Sequence, residues 1–175
     1  MCRDMLTGKE IYSSGLITGA LEENVQQHGV DLRVKNIRRV SGIGVIPAEG
    51  KTTAPIPVDI KPIHGSWSLV PGYYEVEFIE GCNLDSRHGM TLKSRSSLVR
   101  CGGDIRSGYF DPGFHTDHIG AYMVIEKTIV IECGARLAQV LISQSNEVTN
   151  TYDGQWQNDK QRDNNESNES KVSEE

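Results

Sequence analysis

Hydrophobic and polar positions alternate with a period of two through most of this chain. In GVDLRVKN, the apolar residues Val30, Leu32 and Val34 alternate with charged residues, Asp31 among them, which is the pattern of a half-buried strand. Similar alternations recur in GIGVI, APIPVDIKPI, WSLV, YYEVEFI, MTLKS, YMVIE, TIVIE and LAQVLISQ. Gly, Pro, Asn and Asp separate them at intervals typical of β-sandwiches and barrels. The pattern predicts an all-β, mainly antiparallel fold.

The two ends of the chain depart from this pattern. Near the start, Thr7 is followed three residues later by Glu10, and Gly15 ends the segment, which predicts a short N-terminal helix with a capping box. Residues 158–175 are polar and charged, so we expect a disordered acidic tail. Residues 1–157 are expected to form a single domain, which agrees with the length of 175 residues.

Charge narrows the classes of ligand. The formal net charge is −6, and residues 150–175 contribute seven acids against three bases, so the rest of the chain is close to neutral. A near-neutral body lacks the broad basic surface that a nucleic acid polymer requires, whereas a small anionic ligand needs only a local cluster.

The spacing of the cysteines and the hydropathy of the chain indicate its cellular compartment. The four cysteines lie far apart without a CxxC pair, and no apolar signal run opens the chain. We therefore expect reduced thiols in a cytoplasmic protein, or in the host cytoplasm if the protein is viral, and no cysteine-bound metal. No apolar run reaches the roughly 20 residues of a membrane span.

The segment SRSSLVRCGGDIRSGYFDPGF, residues 94–114, concentrates the candidate chemistry. The guanidinium groups of Arg95 and Arg100 and the hydroxyls of Ser96 and Ser97 suit phosphate oxygens. Composition alone favours the alternative, a surface loop whose arginines pair with nearby acids.

Two acidic features follow that segment. Asp111 in the DPG run either caps a turn, which its surroundings favour, or is a fixed carboxylate that orients a water as general base. The HTDH segment at 115–118 lacks the setting of a defined metal motif. We therefore expect no metal bound directly by protein side chains.

Five segments in order resemble motifs of the dUTPase and dCTP deaminase superfamily. They are GVDLRV at 29–34, SRSSLVRCGG at 94–103, GYFDPGF at 108–114, GARLAQVLI at 134–142 and YDGQWQ at 152–157. The DPG-aromatic run and the Tyr-and-Gln arm at 152–157 are similar to the deaminase branch. The resemblance implies a distorted jelly-roll β domain that forms a homotrimer with active sites at subunit interfaces. The implied ligand is a deoxyribonucleoside triphosphate with Mg²⁺ on its phosphates.

The resemblance also implies residue roles. The triphosphate would be bound by Arg95, Ser96, Ser97, Arg100 and Gln139. Asp111 would lie beside the deoxyribose and the attacking water. The pyrimidine would be held by backbone and side chains around Ile105, Tyr109, Ile119, Gly120 and Ala121. Tyr152 and Gln155 would close over the phosphates. Asp31 would either touch the water shell of the metal or fix its strand, and the structural role is favoured.

One departure from the deaminase pattern changes the expected chemistry. Deaminases of this superfamily carry a proton-shuttling glutamate ten residues after the DPG aspartate, and Ala121 occupies that position here. Glu126 follows five residues later, which in a strand means the opposite face and roughly 17 Å of displacement. Alanine cannot move protons, so the expected reaction is hydrolysis of dUTP to dUMP and pyrophosphate, which limits uracil in DNA and supplies dUMP for dTMP synthesis. The alternatives are a dCTP deaminase or bifunctional enzyme, and a nucleotide-binding homologue without catalysis.

Overall fold

Antiparallel strands make up most of the structure, a computed structural model that describes residues 5–146, 148, 150–154 and 157. Within these residues the strands are β1 (Ile17–Thr18), β2 (Val30–Arg39), β3 (Val58–Asp59), β4 (Ser66–Leu69), β5 (Gly72–Phe78), β6 (Gly81–Asn83), β7 (His88–Ser94), β8 (Gly103–Arg106), β9 (His115–Thr116), β10 (Gly120–Ile125), β11 (Ile129–Glu132) and β12 (Arg136–Gln144). The α-helices are α1 (Gly8–Ser14) and α2 (Ser96–Arg100), and a turn of 3₁₀-helix spans Glu22–Asn24. The predicted all-β fold is confirmed, while the predicted tail at 158–175 lies outside the described residues.

The main sheet curls towards a barrel. Its strands run in the order β7-β12-β2-β5-β10-β8, β3 pairs with β2, and the pairings are antiparallel. At the end of β7, the Ser94 hydroxyl donates to Asp104 Oδ1 (2.6 Å) and accepts from the Ile105 N–H (2.8 Å) of β8. These bonds bring the two outer strands together, as the expected distorted jelly roll requires. Two smaller sheets, β1-β6-β9 and β4-β11, complete the fold.

Alternating side chains of the strands fill the core. In β2, Val30, Leu32 and Val34 are at most 1% exposed, as their spacing predicts. Burial of each such side chain stabilises the fold by roughly 1.5–3 kcal/mol. Asp31 is also buried, with 1% exposure, although the alternation predicts a solvent-facing position. Its carboxylate therefore needs partners inside the protein.

Helix α1 forms where the sequence predicts it. The Thr7 N–H donates to the Glu10 carboxylate (2.9 Å) and the Glu10 N–H donates to the Thr7 hydroxyl (3.3 Å), which completes the capping box. Gly15 ends the helix in the left-handed conformation at φ 70°, which glycine adopts without steric cost. Ile11 is fully buried and packs the helix onto the core.

Three predictions of local structure were wrong. GIGVI forms no strand and contributes only a bridge between Val45 and Thr53. In APIPVDIKPI only β3 is a strand, because proline lacks the N–H that a sheet ladder uses. The segment RSSLVR, expected to be a loop, contains helix α2. Among the described residues, no helix is long and apolar enough to cross a membrane.

Candidate functional site

Helix α2 presents the arginine- and serine-rich segment. Arg95 lies at its N-cap with extended backbone (φ −68°, ψ 145°), directly after β7. Leu98 is buried with 3% exposure and fixes the helix to the core. Ser96, Ser97 and Arg100 are exposed. The local fold therefore places two hydroxyls and one guanidinium at the surface, beside Arg95.

Asp31 anchors Arg95 from below the surface. Its Oδ2 lies 3.1 Å from Arg95 Nε and 3.4 Å from Arg136 Nη1, and it accepts a hydrogen bond from Gln26 Nε2 (3.2 Å). Burial raises the pKa of Asp31, although the two guanidinium groups and the Gln26 bond act in the opposite direction. These three partners explain how a carboxylate can occupy a buried position in β2. In return, Asp31 holds the Arg95 side chain beside helix α2.

Gln139 lies in the same row of side chains as Asp31. In the β12–β2 pairing it is opposite Asp31, and in the β12–β7 pairing it is opposite Lys93. Directly paired residues point to the same face of a sheet. This face therefore brings the Gln139 amide and the Lys93 ammonium next to the Asp31 and Arg95 pair. We call Arg95, Ser96, Ser97, Arg100 and Gln139 the phosphate-side cluster.

A cavity of about 440 Å³ opens beside Asp111. Its walls come from the connection between β2 and β3, the segment after β8, the start of β10, and Tyr152. The predicted site residues that line it are Tyr109, Asp111, Gly120, Ala121 and Tyr152. The volume falls within the range of small-molecule sites.

The DPGF run forms the turn that presents Asp111. The Asp111 carbonyl accepts a hydrogen bond from the Phe114 N–H (3.1 Å), so the backbone closes the turn. Phe114 is buried and meets Phe110 edge to face at 5.2 Å. Within the part of the chain that the structure describes, no hydrogen bond or ion pair occupies the Asp111 carboxylate. The side chain is therefore exposed at the cavity wall rather than capping the turn.

Tyr109 passes over the start of β7 and lines the same cavity. Its hydroxyl lies 3.0 Å from Ser143 Oγ on β12. Its ring passes over Gly89, where an added Cβ would overlap the tyrosine hydroxyl. The glycine in β7 thus provides the space that this side chain requires.

The structure separates Ala121 from the next acid. Ala121 of β10 pairs with Val76 of β5, is 5% exposed and lines the cavity. Strand β10 ends at Ile125, and Glu126 follows as an exposed residue whose N–H donates to the Gly102 carbonyl (2.8 Å). Glu126 is not part of the cavity wall. Ala121 therefore presents a methyl group at the cavity wall, and Glu126 does not reach it.

The other predicted residues lie outside this cavity. Ile105 and Ile119 are core residues with 6% and 0% exposure, and their N–H groups bond to Ser94 Oγ and to the Glu80 carbonyl. The phosphate-side cluster does not line the cavity either. Gln155 lies outside the described residues. A single chain thus holds two separate groups of candidate residues.

Residues that the sequence analysis missed complete both groups. Arg136 and Gln26 bind Asp31. Arg136 is the first residue of β12, and a charged residue at the start of an apolar strand was the available signal. Glu75, Arg106 and His118 line the cavity. They come from separate strands and loops, so no local spacing indicated that they meet.

These features define a mainly antiparallel β protein with a small-molecule cavity and an exposed carboxylate at the cavity wall. A separate cluster holds side chains of the types that bind phosphate. The model of the dCTP deaminase-like family matches residues 7–145, and the chain belongs to that family.

Curated relatives of this chain carry the name of one enzyme. The chain is 29% identical over 145 residues to a probable deoxyuridine 5'-triphosphate nucleotidohydrolase of Methanosarcina acetivorans, covering 79% of this chain and 84% of the relative. It is 31% identical over 138 residues to the deoxyuridine 5'-triphosphate nucleotidohydrolase of Methanocaldococcus jannaschii, covering 76% and 86%.

The fold is also similar to that of the 2'-deoxycytidine 5'-triphosphate deaminase from Agrobacterium tumefaciens. The TM-score is 0.64 at 16% identity, and the match covers 83% of this chain. This chain spans 50% of the length of that deaminase. At such identity the likeness concerns the fold alone.

Proposed function

We propose that this protein hydrolyses dUTP to dUMP and pyrophosphate, and so limits uracil in DNA and supplies dUMP for dTMP synthesis. The observation that carries the proposal is Ala121 in the cavity wall, at the position where a deaminase of this family would need its glutamate. A methyl group cannot transfer protons to or from a cytosine ring. The names of the relatives from Methanosarcina acetivorans and Methanocaldococcus jannaschii support the same substrate.

In this proposal the cavity takes the deoxyuridine end of the nucleotide. Tyr109, Gly120 and Ala121 line the space where the pyrimidine and sugar fit. Ile105 and Ile119 do not line the cavity, but each directly precedes a lining residue, Arg106 or Gly120. Tyr152, which also lines the cavity, covers the nucleotide together with the predicted contact of Gln155.

The triphosphate goes to the phosphate-side cluster of a neighbouring subunit. Arginine forks and serine hydroxyls suit phosphate oxygens, but in one chain these groups do not line the cavity. We therefore propose a homotrimer whose sites form between subunits. Three isoleucines, Ile43, Ile46 and Ile63, are 87%, 86% and 73% exposed, and their burial between subunits would favour association.

Asp111 has the properties that a general base for this hydrolysis requires. Its carboxylate is exposed at the cavity wall and lies on a turn closed by backbone bonds. It accepts a proton from the water that attacks the α-phosphorus, and the bond from that phosphorus to the bridging oxygen of pyrophosphate breaks. Arg100 and Arg95 stabilise the charge that develops on the phosphate oxygens.

Magnesium fits this site as an ion carried by the substrate. Among the described residues, no group of three His, Cys, Asp or Glu side chains could hold a metal. The Asp31 carboxylate faces two guanidinium groups and an amide, which leaves it poorly placed for direct coordination. The ion would be held by phosphate oxygens and waters, and when bound it neutralises phosphate charge.

The test is a substrate comparison with purified protein. With Mg²⁺ and each of dUTP, dCTP, dTTP, dATP and dGTP, pyrophosphate release should be selective for dUTP. Absence of release from dUTP above the no-enzyme background would contradict the proposal. A uracil nucleotide formed from dCTP would instead indicate deamination, and tight dUTP binding without turnover would indicate a nucleotide-binding homologue.

A further inference from the structure

The C-terminal segment carries a buried glutamine outside the proposed nucleotide contacts. Gln157 is 5% exposed. Its Oε1 accepts a hydrogen bond from the His115 N–H (3.3 Å), and its Nε2 donates to the Gly113 carbonyl (3.1 Å). Nε2 also lies 2.6 Å from His115 Nδ1, which accepts when the imidazole is neutral and its proton is on Nε2. One amide thus holds the backbone immediately after Asp111.

Residues 151 and 152 hold the same turn from a second direction. The Tyr152 N–H donates to the Pro112 carbonyl (2.9 Å), and the Tyr152 ring meets Phe114 edge to face at 5.6 Å. Gly113 adopts φ +88°, and a Cβ there would lie 2.5 Å from Thr151 Cβ. The close approach of the C-terminal segment therefore depends on a glycine in the turn.

On the side facing β6, backbone bonds complete the attachment. The Gly113 N–H donates to the Asp85 carbonyl (3.1 Å), and the Leu84 N–H donates to the Phe114 carbonyl (2.9 Å). The turn that presents Asp111 is thus fixed on one side by the strand framework and on the other by Gln157. Among the described residues, the hydrogen bonds on the β6 side come from backbone groups, whereas those of Gln157 come from its side chain.

We propose that Gln157 is a positioning residue for Asp111. By binding Gly113 and His115 it sets the turn that aims the Asp111 carboxylate at the attacking water. The proposal rests on the proposed role of Asp111 in dUTP hydrolysis. Since a small displacement of a catalytic group lowers the rate of the chemical step, loss of Gln157 should affect turnover more than nucleotide binding.

The first test is Gln157→Ala. We expect kcat for dUTP to fall about tenfold, because each lost hydrogen bond shifts an equilibrium roughly two- to tenfold. The dissociation constant of a non-hydrolysable dUTP analogue should change less than about threefold, because Gln157 lies outside the proposed nucleotide contacts. Without nucleotide, hydrogen–deuterium exchange should speed up in the peptide covering residues 110–116. Gln144→Ala, at an exposed position at the end of β12, should leave all three measurements unchanged.

Two further variants separate positioning from general support of the fold. Gln157→Glu keeps the acceptor for the His115 N–H but loses the donor to the Gly113 carbonyl and to His115 Nδ1, so its kcat should lie between those of the wild type and Gln157→Ala. His115→Ala removes one of the three bonds and should reduce kcat less than Gln157→Ala. In the double variant the two effects should not add, because both act through one contact.

The proposal would be overturned if hydrogen–deuterium exchange in residues 110–116 were as slow in Gln157→Ala as in the wild type. An unchanged kcat, or a loss confined to affinity for the analogue, would also overturn it. If Gln157→Ala does not fold, additive effects of His115→Ala and Gln157→Glu would count against it. The exchange measurement needs no turnover, so failure of the wild type to hydrolyse dUTP would refute the proposed function and leave this test intact.

Discussion

Asp31 and Asp111 show how environment assigns different roles to the same side chain. Asp31 is 1% exposed and bound by two arginines and a glutamine, so its carboxylate is committed to internal contacts. Asp111 is exposed at a cavity wall on a turn that its own backbone closes. A carboxylate that must accept a proton needs the second environment. The first environment suits a group that orients an arginine.

At Asp111 we predict a loss of turnover on substitution by asparagine. Asp111→Asn keeps the size of the side chain and removes the base, so kcat for dUTP should fall by about two orders of magnitude or more, with little change in nucleotide affinity. Steady-state kinetics and binding of a non-hydrolysable dUTP analogue measure the two effects. Asp117→Asn, at an exposed position outside the cavity wall, is the matched control. A near wild-type rate for Asp111→Asn would be incompatible with the assigned role.

At Asp31 we predict a pH-dependent difference in stability. Burial raises its pKa above the ordinary value of 3.8, so the folded state binds a proton at a higher pH than the unfolded state does. The cost of burying the ionised group is present at neutral pH and disappears as the pH falls through the raised pKa. Relative to Asp31→Asn, the wild type should therefore gain free energy of unfolding between about pH 7 and about pH 4.

Urea unfolding of both proteins across this range measures that difference. Between about pH 7 and about pH 9 the difference should be constant, because Asp31 is ionised in both states there. If the wild type instead loses free energy of unfolding relative to Asp31→Asn as the solution is acidified, the pKa of Asp31 in the folded state is lowered rather than raised.

At the scale of elements, sequence prediction succeeded where one local signal decided the structure. The capping box of Thr7 and Glu10 and the glycine at position 15 determined α1 at both ends. The alternation in β2 and β10 identified their buried faces. Helix α2 has five residues and no side-chain cap, so no local signal announces it. Its stability depends on Leu98 in the core, which is a tertiary contact.

In strand β7, we predict that Gly89→Ala damages the site more than the fold. The new methyl group would overlap the Tyr109 hydroxyl, which can move because it is the end of a side chain. Displacement of the Tyr109 side chain would break its contact with Ser143 and shift its ring in the cavity wall. KM for dUTP should rise roughly five- to tenfold while the melting temperature changes little.

Kinetics together with thermal unfolding test this prediction. In a Tyr109→Leu background the same glycine substitution should have little further effect, because its clashing partner is gone. A wild-type KM for Gly89→Ala would show that Tyr109 accommodates the methyl group without leaving its place.

At the scale of the whole molecule, the sequence indicated the members of the site better than their arrangement. The order of the five segments pointed to the family, and Ala121 to the reaction, because both depend on residue identity along the chain. The meeting of Asp31 with Arg136, 105 residues apart, and of Gln157 with His115, 42 apart, depends on folding across the sheet. The separation of the cavity from the phosphate-side cluster is likewise a property of the assembled fold.

That separation leads to a prediction about the proposed trimer. If Asp111 of one subunit and Arg100 of its neighbour act in one site, Asp111→Asn and Arg100→Ala proteins should each be nearly inactive alone. After unfolding and refolding as an equal mixture, random trimers should recover about one quarter of wild-type dUTP hydrolysis, since each of the two residues is intact with a chance of about one half. Parallel refolding of each variant alone is the control. Refolded mixtures with no more activity than the separate variants would place both residues in a site within one chain.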